Sequence, residues 1–455
     1  MRRRWQMLFV IVVLGSALIP LFCLIAGIDT PRVASEALPP KPDVRAAGGF
    51  QRTFTRAFDD YWQHAFPLSS FMITAHNATT RSLFASSTHE QIIVGRDGML
   101  YYGQTLGDIT GTGALTEGDA ARIAQVLDVE RTSVEAFGGR YYVTIAPNKA
   151  SVYPEYLRRR LSDHAGASNA DRLKAKLADR GVYIDLFEPL TSAKDATTPM
   201  LYHRLDSHWN RRGAWVAYDA LMRATGVDPV VRRMPTVETR DHAGDLAAMF
   251  FPDRVTLDLN YAYEDFEGTF TFMRPMRTWE DVRIETASGE GDGHLWMHRD
   301  SFANALIPFL SSTFSRATYL RGEARDWRWL GQDPCDVVIV EMVERDIDRF
   351  LKKTPILLAP ETTMPEIVGT LSHVDVHVET EEKYGMVHHN VRLPDEFFLD
   401  DAIVLCGETA VRAFAVHEQD DVNDALTNGI SWYAPDACED AVMVIHTAYG
   451  WQRLP

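Results

Sequence analysis

Apolar residues along the chain fall into two alternating patterns. Continuous apolar runs at residues 141–146, 182–186 and 336–341 are separated by stretches in which apolar residues recur every three or four positions. Runs of the first kind are typical of strands buried on both faces, whereas the second pattern indicates amphipathic helices, such as the one that Thr116 or Asp119 can cap. Strands that alternate with helices predict an α/β domain whose parallel sheet is covered on both faces.

The rest of the chain shows other patterns. Residues 227–293 have no sustained period and many aromatic residues, which we interpret as an irregular insertion that walls a substrate cleft. Residues 356–455 contain short alternating strands among turns, which predicts a small β-rich C-terminal module. We also expect helices at 53–64, 69–84, 211–225 and 302–314, a short strand at 295–297, and two strands within 91–102.

The N-terminal sequence indicates export. Arg2, Arg3 and Arg4 precede an uncharged apolar run from about Met7 to Ile28. Such a run is long enough to cross a bilayer, so we predict a signal-anchor at 1–28 that holds the protein at the inner membrane with its bulk in the periplasm. Cleavage as a signal peptide stays open as an alternative. A Pro- and Ala-rich linker at 29–49 would then lead to an α/β domain at 50–355 and the β-rich module at 356–455.

Composition and residue spacing restrict the classes of partner and cofactor that the protein can bind. The 455 residues carry a formal net charge of −17, which argues against nucleic acid as a partner. The four cysteines show no zinc spacing, although an oxidising compartment would allow Cys406 and Cys438 to pair. His294 and His298 lie four residues apart, but no carboxylate spacing supports a metal there. We therefore expect no metal, and the absence of a nucleotide-binding motif predicts no cofactor.

One stretch concentrates residues suited to acyl transfer. Asp206 and His208 are two positions apart, so in an extended segment both side chains point to the same side. A carboxylate beside an imidazole fixes its tautomer and stabilises the imidazolium. Ser301, at a predicted strand-to-helix turn, is the best candidate nucleophile, because a helix start directs backbone N–H groups towards a developing oxyanion. The alternatives are a surface Asp-x-His sequence and a serine that only caps a helix.

The sequence Asp206-Ser-His-Trp-Asn210, followed by Gly213-Ala214, resembles the signature of the alginate O-acetyltransferases of the AlgX/AlgJ type, an SGNH-hydrolase-like family. The resemblance covers roughly residues 50 to 350. It implies a triad of Asp206, His208 and Ser301, an acetyl-serine intermediate, a polysaccharide acceptor, and a membrane-bound acyltransferase as acetyl donor. The chain departs from the family in two places: the nucleophile turn lacks the usual glycine, and the C-terminal module shows no matching carbohydrate-binding motif. Further matches are Tyr61, Phe66-Pro67-Leu68, Val94–Gly98, Pro147-Asn148-Lys149, Gly244-Asp245-Leu246, Arg299-Asp300-Ser301 and Val340–Arg345.

Further residues are candidates for binding substrate. Tyr202, Asn148, Lys149 and Arg345 are expected to line the site or bind sugar, and Arg299 to hold a carboxylate or the oxyanion. Lys149 can equally be a solvated charge, and Arg345 can form an ion pair with Glu344. Two other functions stay open: a carbohydrate acetylesterase that uses water as acceptor, and a non-catalytic polysaccharide-binding or assembly protein.

Overall fold

The computed structural model divides the chain into two compact units. The first comprises Met1–Gly103, His203–Ser207 and Thr239–Asn260, and the second comprises Gln104–Tyr202, His208–Glu238 and Tyr261–Pro455. The structure describes residues 54–65, 68–112, 115–158, 167–194, 199–264, 268–322, 324–372, 374, 376–394, 397, 399–419, 426–438 and 440–455, with short pieces before residue 51. The predicted anchor at 1–28 and linker at 29–49 lie mostly outside these residues. Within them, no helix has the length and apolarity needed to cross a bilayer.

Helices in the described part of the chain range from one turn to more than five. The longest, α4, begins with a capping box in which Thr116 and Asp119 each accept a backbone N–H from the other. The sequence offered both residues as caps, and the structure uses both. The α-helices are α1 (Phe54–Ala65), α2 (Ser69–Phe84), α3 (Leu106–Thr110), α4 (Glu117–Ala136), α5 (Lys149–Val152), α6 (Asn169–Leu177), α7 (Phe187–Ala193), α8 (Arg211–Thr225), α9 (Asp245–Phe250), α10 (Ile307–Thr313) and α11 (Arg349–Lys352).

Strands occur in both units and build two large sheets in the second. Their bounds are β1 (Arg45–Ala46), β2 (Gly49–Phe50), β3 (Ile92–Val94), β4 (Leu100–Tyr102), β5 (Arg140–Ala146), β6 (Tyr183–Ile184), β7 (Val237–Ala243), β8 (Leu257–Ala262), β9 (Phe270–Phe272), β10 (Arg283–Ser288), β11 (His294–His298), β12 (Arg316–Leu320), β13 (Val337–Val343), β14 (Gly369–Thr370), β15 (His377–Lys383), β16 (Met386–Arg392), β17 (Asp401–Cys406), β18 (Thr409–Gln419), β19 (Leu426–Ala434), β20 (Val442–Thr447) and β21 (Gly450–Arg453).

The sheet that carries the candidate site has seven strands in the order β6-β5-β13-β11-β12-β10-β9. The first five strands run parallel, whereas β10 and β9 are antiparallel to their neighbours. The predicted α/β architecture is confirmed, although the sheet is mixed. Because β5, β11 and β13 are parallel neighbours, the segments after Ala146, His298 and Val343 leave the sheet at the same edge, where ligands bind in open α/β sheets.

Both faces of this sheet are buried, which explains why its strands are apolar throughout. Leu295 and Met297 of β11 pack into one apolar cluster with residues of α8 and α10. Trp296, between them, packs into a second cluster with residues of α4 and α6. The alternation within β13 is the same, since Val337 and Ile339 join the first cluster and their neighbours join the second.

The region 227–293, expected to be irregular, contains regular elements. Strand β10 pairs with β12, where Arg283 lies opposite Leu320, and its other edge pairs with β9. The region therefore extends the main sheet. The prediction failed here because β10 contains the polar residues Glu285, Thr286 and Ser288, and β9 is a three-residue strand at the sheet edge, so neither has a continuous apolar run. Asp258 and Glu285 are buried charges within this region, and they interrupt any apolar pattern.

The C-terminal part forms an eight-stranded sheet in the order β14-β21-β20-β17-β18-β19-β16-β15. Its core includes Val404, Ala413, Trp432 and Ile445. Cys406 and Cys438 form a disulfide with a Cα–Cα distance of 5.5 Å, so the pairing that the sequence allowed is present. The β-rich character is as predicted, and the boundary placed near residue 355 stays a prediction.

The first unit has its own small core. Strands β3 and β4 form the predicted hairpin, with Asp97 and Gly98 at positive φ in the turn. Ile92, Val94 and Leu100 pack against residues of α9. This unit also contains Asp206.

Candidate active site

A serine and a histidine meet where β11 ends. The Nε2 atom of His208 lies 2.8 Å from the Oγ atom of Ser301, although the residues are 93 positions apart in sequence. Both side chains are half-buried, so the pair is accessible. A hydrogen bond of this length lets the imidazole take the serine proton when the neutral ring carries its own proton on Nδ1 and Nε2 is unprotonated. The structure thus brings together two of the three predicted catalytic residues.

Asp300 shapes the turn that presents Ser301. Its Oδ1 accepts the N–H of Phe302 at 2.7 Å, and its Oδ2 accepts the N–H of Val343 at 2.6 Å. Its own N–H donates to Glu341 on the neighbouring strand at 2.9 Å. These bonds tie the turn after β11 to β13. From sequence, Asp300 is recognisable only as part of the Arg299-Asp300-Ser301 motif, because its role depends on Glu341 and Val343, more than forty residues away.

The chain after Ser301 differs from the predicted long helix. Residues Phe302–Ala305 form a 3-10 turn, and α10 follows at Ile307. The Phe302 N–H already donates to Asp300, so it is not available to an oxyanion. A helix start at Ser301 was expected to supply free N–H donors. For the Phe302 N–H this expectation is wrong, because that group is hydrogen-bonded to the Asp300 carboxylate.

Aromatic packing holds the His208 ring beside Ser301. The ring of Phe302 lies 4.7 Å from the His208 imidazole, centroid to centroid. Trp209 donates from Nε1 to the Phe302 carbonyl at 3.0 Å and packs edge-on against the Phe302 ring. The Asn210 side chain caps α8 by accepting the N–H groups of Arg212 and Gly213. The histidine therefore directly precedes a buried tryptophan and a capped helix, and its ring packs on Phe302.

Asp206 is buried in the first unit. Its Oδ2 accepts from His242 Nε2 and from the Asp245 N–H, each at 2.9 Å. The His242 ring stacks on His203 at 3.9 Å, and burial lowers the pKa of His203 to about 4, so that ring stays neutral near pH 7. Asp245 in turn accepts the N–H and hydroxyl of Ser207. Asp206 therefore has two donors within its own unit.

His242 was missed by the sequence analysis. It lies two residues before Gly244-Asp245-Leu246, a motif that the analysis noted without assigning it a role. At Gly244 a Cβ atom would stand 2.3 Å from the Leu205 carbonyl oxygen, so this position requires glycine. Gly244 is therefore the sequence signal for the close approach between the segment after His242 and the segment that contains Leu205 and Asp206.

Three of the predicted substrate-binding residues lie at the carboxyl edge of the sheet. Tyr202 is buried and donates to the Pro147 carbonyl at 2.7 Å. Asn148 donates from its backbone to Glu344 and from its side chain to Asp108. The guanidinium of Arg345 lies 5.4 Å from the Phe302 ring centroid, next to the nucleophile turn. Their roles towards substrate stay predictions.

Lys149 and Arg299 occupy buried positions. Lys149 is the first residue of α5 and is 3% exposed, so it is not the solvated charge that the sequence allowed. Arg299 donates to the carbonyls of Asp300, Trp279 and Asp281 and to the Asn304 side chain. These bonds direct its guanidinium to the loop between β9 and β10. Its predicted contact with substrate or oxyanion stays a prediction.

The two candidate metal histidines belong to the sheet. A ring nitrogen of His294 contacts the Pro334 carbonyl at 2.8 Å. His298 is buried on the opposite end of β11, and burial lowers its pKa to about 3. Both positions are therefore explained by the packing around β11.

An acidic pair beside Asn148 has raised pKa values. Burial, followed by the charge of Glu344, raises the pKa of Asp108 from 3.8 to about 8. Burial also raises the pKa of Glu344 to about 6, although Ser151 and the Asn148 N–H both donate to it. At neutral pH Asp108 therefore retains a proton that an exposed carboxyl group would have released, whereas Glu344 releases its proton at a higher pH than an exposed glutamate does.

Changing Asp108 to asparagine is expected to reduce the pH dependence of stability. Between about pH 4 and pH 8 the folded chain holds a proton on Asp108 that the unfolded chain has lost, so the free energy of unfolding falls as pH rises. Asparagine does not titrate, and Asp108→Asn should gain stability relative to wild type across this window. Urea denaturation at several pH values measures the difference, with exposed Asp179→Asn as control. Parallel curves for Asp108→Asn and wild type would contradict the assignment.

Comparisons with known proteins agree with the resemblance seen in the sequence. Residues 92–274 match the family described as "SGNH hydrolase-like domain, acetyltransferase AlgX". This range contains Asp206 and His208 and ends before Ser301. The match to the solved O-acetyltransferase domain of Pseudomonas putida AlgJ covers 57% of this chain and 92% of that domain, at 19% identity and with a TM-score of 0.37.

Two curated relatives match part of the chain. A probable alginate O-acetylase AlgJ of Pseudomonas syringae pv. tomato is 26% identical over 206 residues, which cover 44% of this chain and 51% of the relative. The Pseudomonas putida protein of the same name is 27% identical over 215 residues, covering 43% and 54%. The chain thus spans about half the length of the curated relatives it matches. Together these matches confirm the resemblance to the AlgX/AlgJ-like SGNH hydrolase-like acetyltransferases that the sequence motifs indicated.

Proposed function

We propose that the protein is an O-acetyltransferase that acetylates hydroxyl groups of an exported polysaccharide through an acetyl-Ser301 intermediate. The observation that carries the proposal is the 2.8 Å contact between His208 Nε2 and Ser301 Oγ at the carboxyl edge of the sheet. We infer the transferred group, acetyl, and the acceptor class, a polysaccharide, from the names of the matched family and of the curated relatives. Alginate is the first acceptor to test.

The first half-reaction acylates the enzyme. Ser301 Oγ attacks the carbonyl carbon of the acetyl donor as its proton passes to His208 Nε2. The tetrahedral intermediate collapses, the bond to the donor oxygen breaks, and His208 returns the proton to that leaving oxygen. The acetyl group is then esterified to Ser301, and the imidazole is neutral again.

The second half-reaction reverses these steps on the acceptor. A sugar hydroxyl loses its proton to His208 and attacks the acetyl-serine carbonyl. The intermediate collapses with Ser301 Oγ as leaving group, and the imidazolium gives Oγ the proton. One acetyl ester is broken and one is formed, so the transfer needs no cofactor.

Asp206 completes the proposed triad. Its position two residues before His208 suits a carboxylate that orients the imidazole, and its burial strengthens such an interaction. Its two donors, His242 and the Asp245 N–H, hold the carboxylate in place.

The proposal places this chemistry outside the cytoplasm. The arginines ahead of the apolar N-terminal run are typical of an exported chain, and the Cys406–Cys438 disulfide suits an oxidising compartment. A membrane-bound acyltransferase is the proposed acetyl donor, because acetyl-CoA is not expected there.

The proposed function is tested with purified full-length protein and an activated acetyl ester, p-nitrophenyl acetate. We expect an acetyl adduct on Ser301 by peptide mass spectrometry, and O-acetyl groups on added alginate oligosaccharides. An adduct that discharges only to water would make the protein an esterase. No adduct and no turnover would contradict the catalytic role and favour a polysaccharide-binding protein.

A further inference from the structure

The loop between β9 and β10 is clamped to the segment that carries Ser301. Arg299, two residues before Ser301, donates from Nη2 to the Trp279 carbonyl at 2.7 Å. Asn304, three residues after it, donates to the Glu280 carboxylate at 2.7 Å. The loop, residues 273–282, is therefore held from both sides of the proposed nucleophile.

The loop is also ordered by its own contacts. The Asp281 carboxylate accepts the Arg277 N–H at 2.8 Å, which closes a turn around Trp279. Arg321 at the end of β12 donates its N–H to the Val282 carbonyl and forms an ion pair with Glu280. A loop held in this way presents its side chains without the entropy cost of ordering them on binding.

Two aromatic rings on this loop and strand face solvent. Trp279 is 37% exposed and Phe272 is 41% exposed, and their ring centroids are 6.0 Å apart. A single exposed aromatic residue needs no explanation. Here the rings of Trp279 and Phe272 are neighbours, and the Trp279 carbonyl accepts a hydrogen bond from Arg299, two residues before Ser301. Arg299 binds Trp279 through its main-chain carbonyl, so the Trp279 side chain is not required for the clamp.

We propose that Trp279 and Phe272 form an acceptor subsite that stacks on a pyranose ring of the polysaccharide while a neighbouring sugar presents its hydroxyl to Ser301. The subsite rests on the proposed function. Aromatic faces pack on the C–H face of a sugar, and the indole N–H can donate to a hydroxyl at its rim. The clamp by Arg299 and Asn304 gives the subsite a fixed distance from Ser301, which sets the sugar that is acetylated relative to the sugar that is held.

Replacing Trp279 with alanine tests the subsite. The variant keeps the carbonyl that Arg299 binds, so the nucleophile turn should remain intact. We expect KM for a short alginate oligosaccharide to rise about tenfold with little change in kcat. Trp279→Phe should recover most of the loss. Tyr449→Ala, which removes a ring that is 84% exposed in the β20–β21 turn, is the matched control.

A binding measurement separates failure of the subsite from failure of the proposed function. Calorimetric titration of Ser301→Ala protein with the same oligosaccharide reads affinity without chemistry, and adding Trp279→Ala should raise Kd about tenfold. Unchanged affinity, or no binding by Ser301→Ala protein, overturns the subsite. Absence of an acetyl adduct in wild type overturns the proposed function, while a tryptophan-dependent Kd in that case retains the site as a sugar-binding one.

Discussion

Replacing Ser301 with alanine is expected to lower the rate of acetyl transfer by about 10⁴-fold or more and to abolish the acetyl adduct. In the proposed mechanism the Oγ atom of Ser301 accepts the acetyl group, and alanine has no atom that can replace it. The substitution removes one hydrogen bond to His208, so the free energy of unfolding should change by only about 1 kcal/mol. Rates with p-nitrophenyl acetate and alginate oligosaccharides, together with intact mass, measure the effect.

The same experiment tests whether Ser301 and His208 act as a unit. His208→Ala alone should cost a comparable factor, and the double variant should be little slower than either single one. Ser192→Ala removes an exposed serine of α7 and serves as control. Independent, multiplicative losses at 301 and 208 would contradict a shared proton transfer. Full activity in Ser301→Ala protein would exclude the acetyl-serine mechanism.

The strands that build the site could be predicted because their signal is local. Residues 141–146 and 336–341 correspond to β5 and β13, and 295–297 to the middle of β11. These strands are buried on both faces, which forces a continuous apolar run on each of them. Once they are parallel, the residues that follow them must share one edge. That argument brings Asn148, Ser301 and Arg345 to the same side of the sheet from sequence alone.

The pairing of His208 with Ser301 was not predictable from local pattern. A separation of 93 residues carries no period, so the predicted strand-to-helix turn made Ser301 only a candidate partner, and the resemblance to a known family strengthened that prediction. His242 was missed for the same reason, because its contact with Asp206 depends on the close approach at Gly244. The strands in 227–293 were missed because polar residues interrupt any apolar run, as Glu285 and Thr286 do in β10.

Asp300→Ala is expected to damage both stability and activity. The substitution leaves the buried N–H groups of Phe302 and Val343 without their acceptors, each at about 1–3 kcal/mol. We expect the free energy of unfolding to fall by about 2–5 kcal/mol. The turn would relax, and a shift of Ser301 by about 1 Å from His208 would lower kcat by roughly 10²-fold. Urea denaturation and initial rates on protein shown to be folded measure the two effects.

The carboxylate of Asp300 also has an unfavourable electrostatic interaction with Glu341. Asp300, in the turn after β11, donates its N–H to Glu341 of β13, and burial, followed by the charge of Asp300, raises the pKa of Glu341. Asp300→Asn removes the charge and keeps one oxygen acceptor, so it separates repulsion from lost hydrogen bonds. We expect it to be less stable than wild type, since an amide cannot accept both N–H groups. A more stable Asp300→Asn protein would show that repulsion dominates, and the carboxylate would then be retained for catalysis alone; exposed Asp179→Ala provides the baseline.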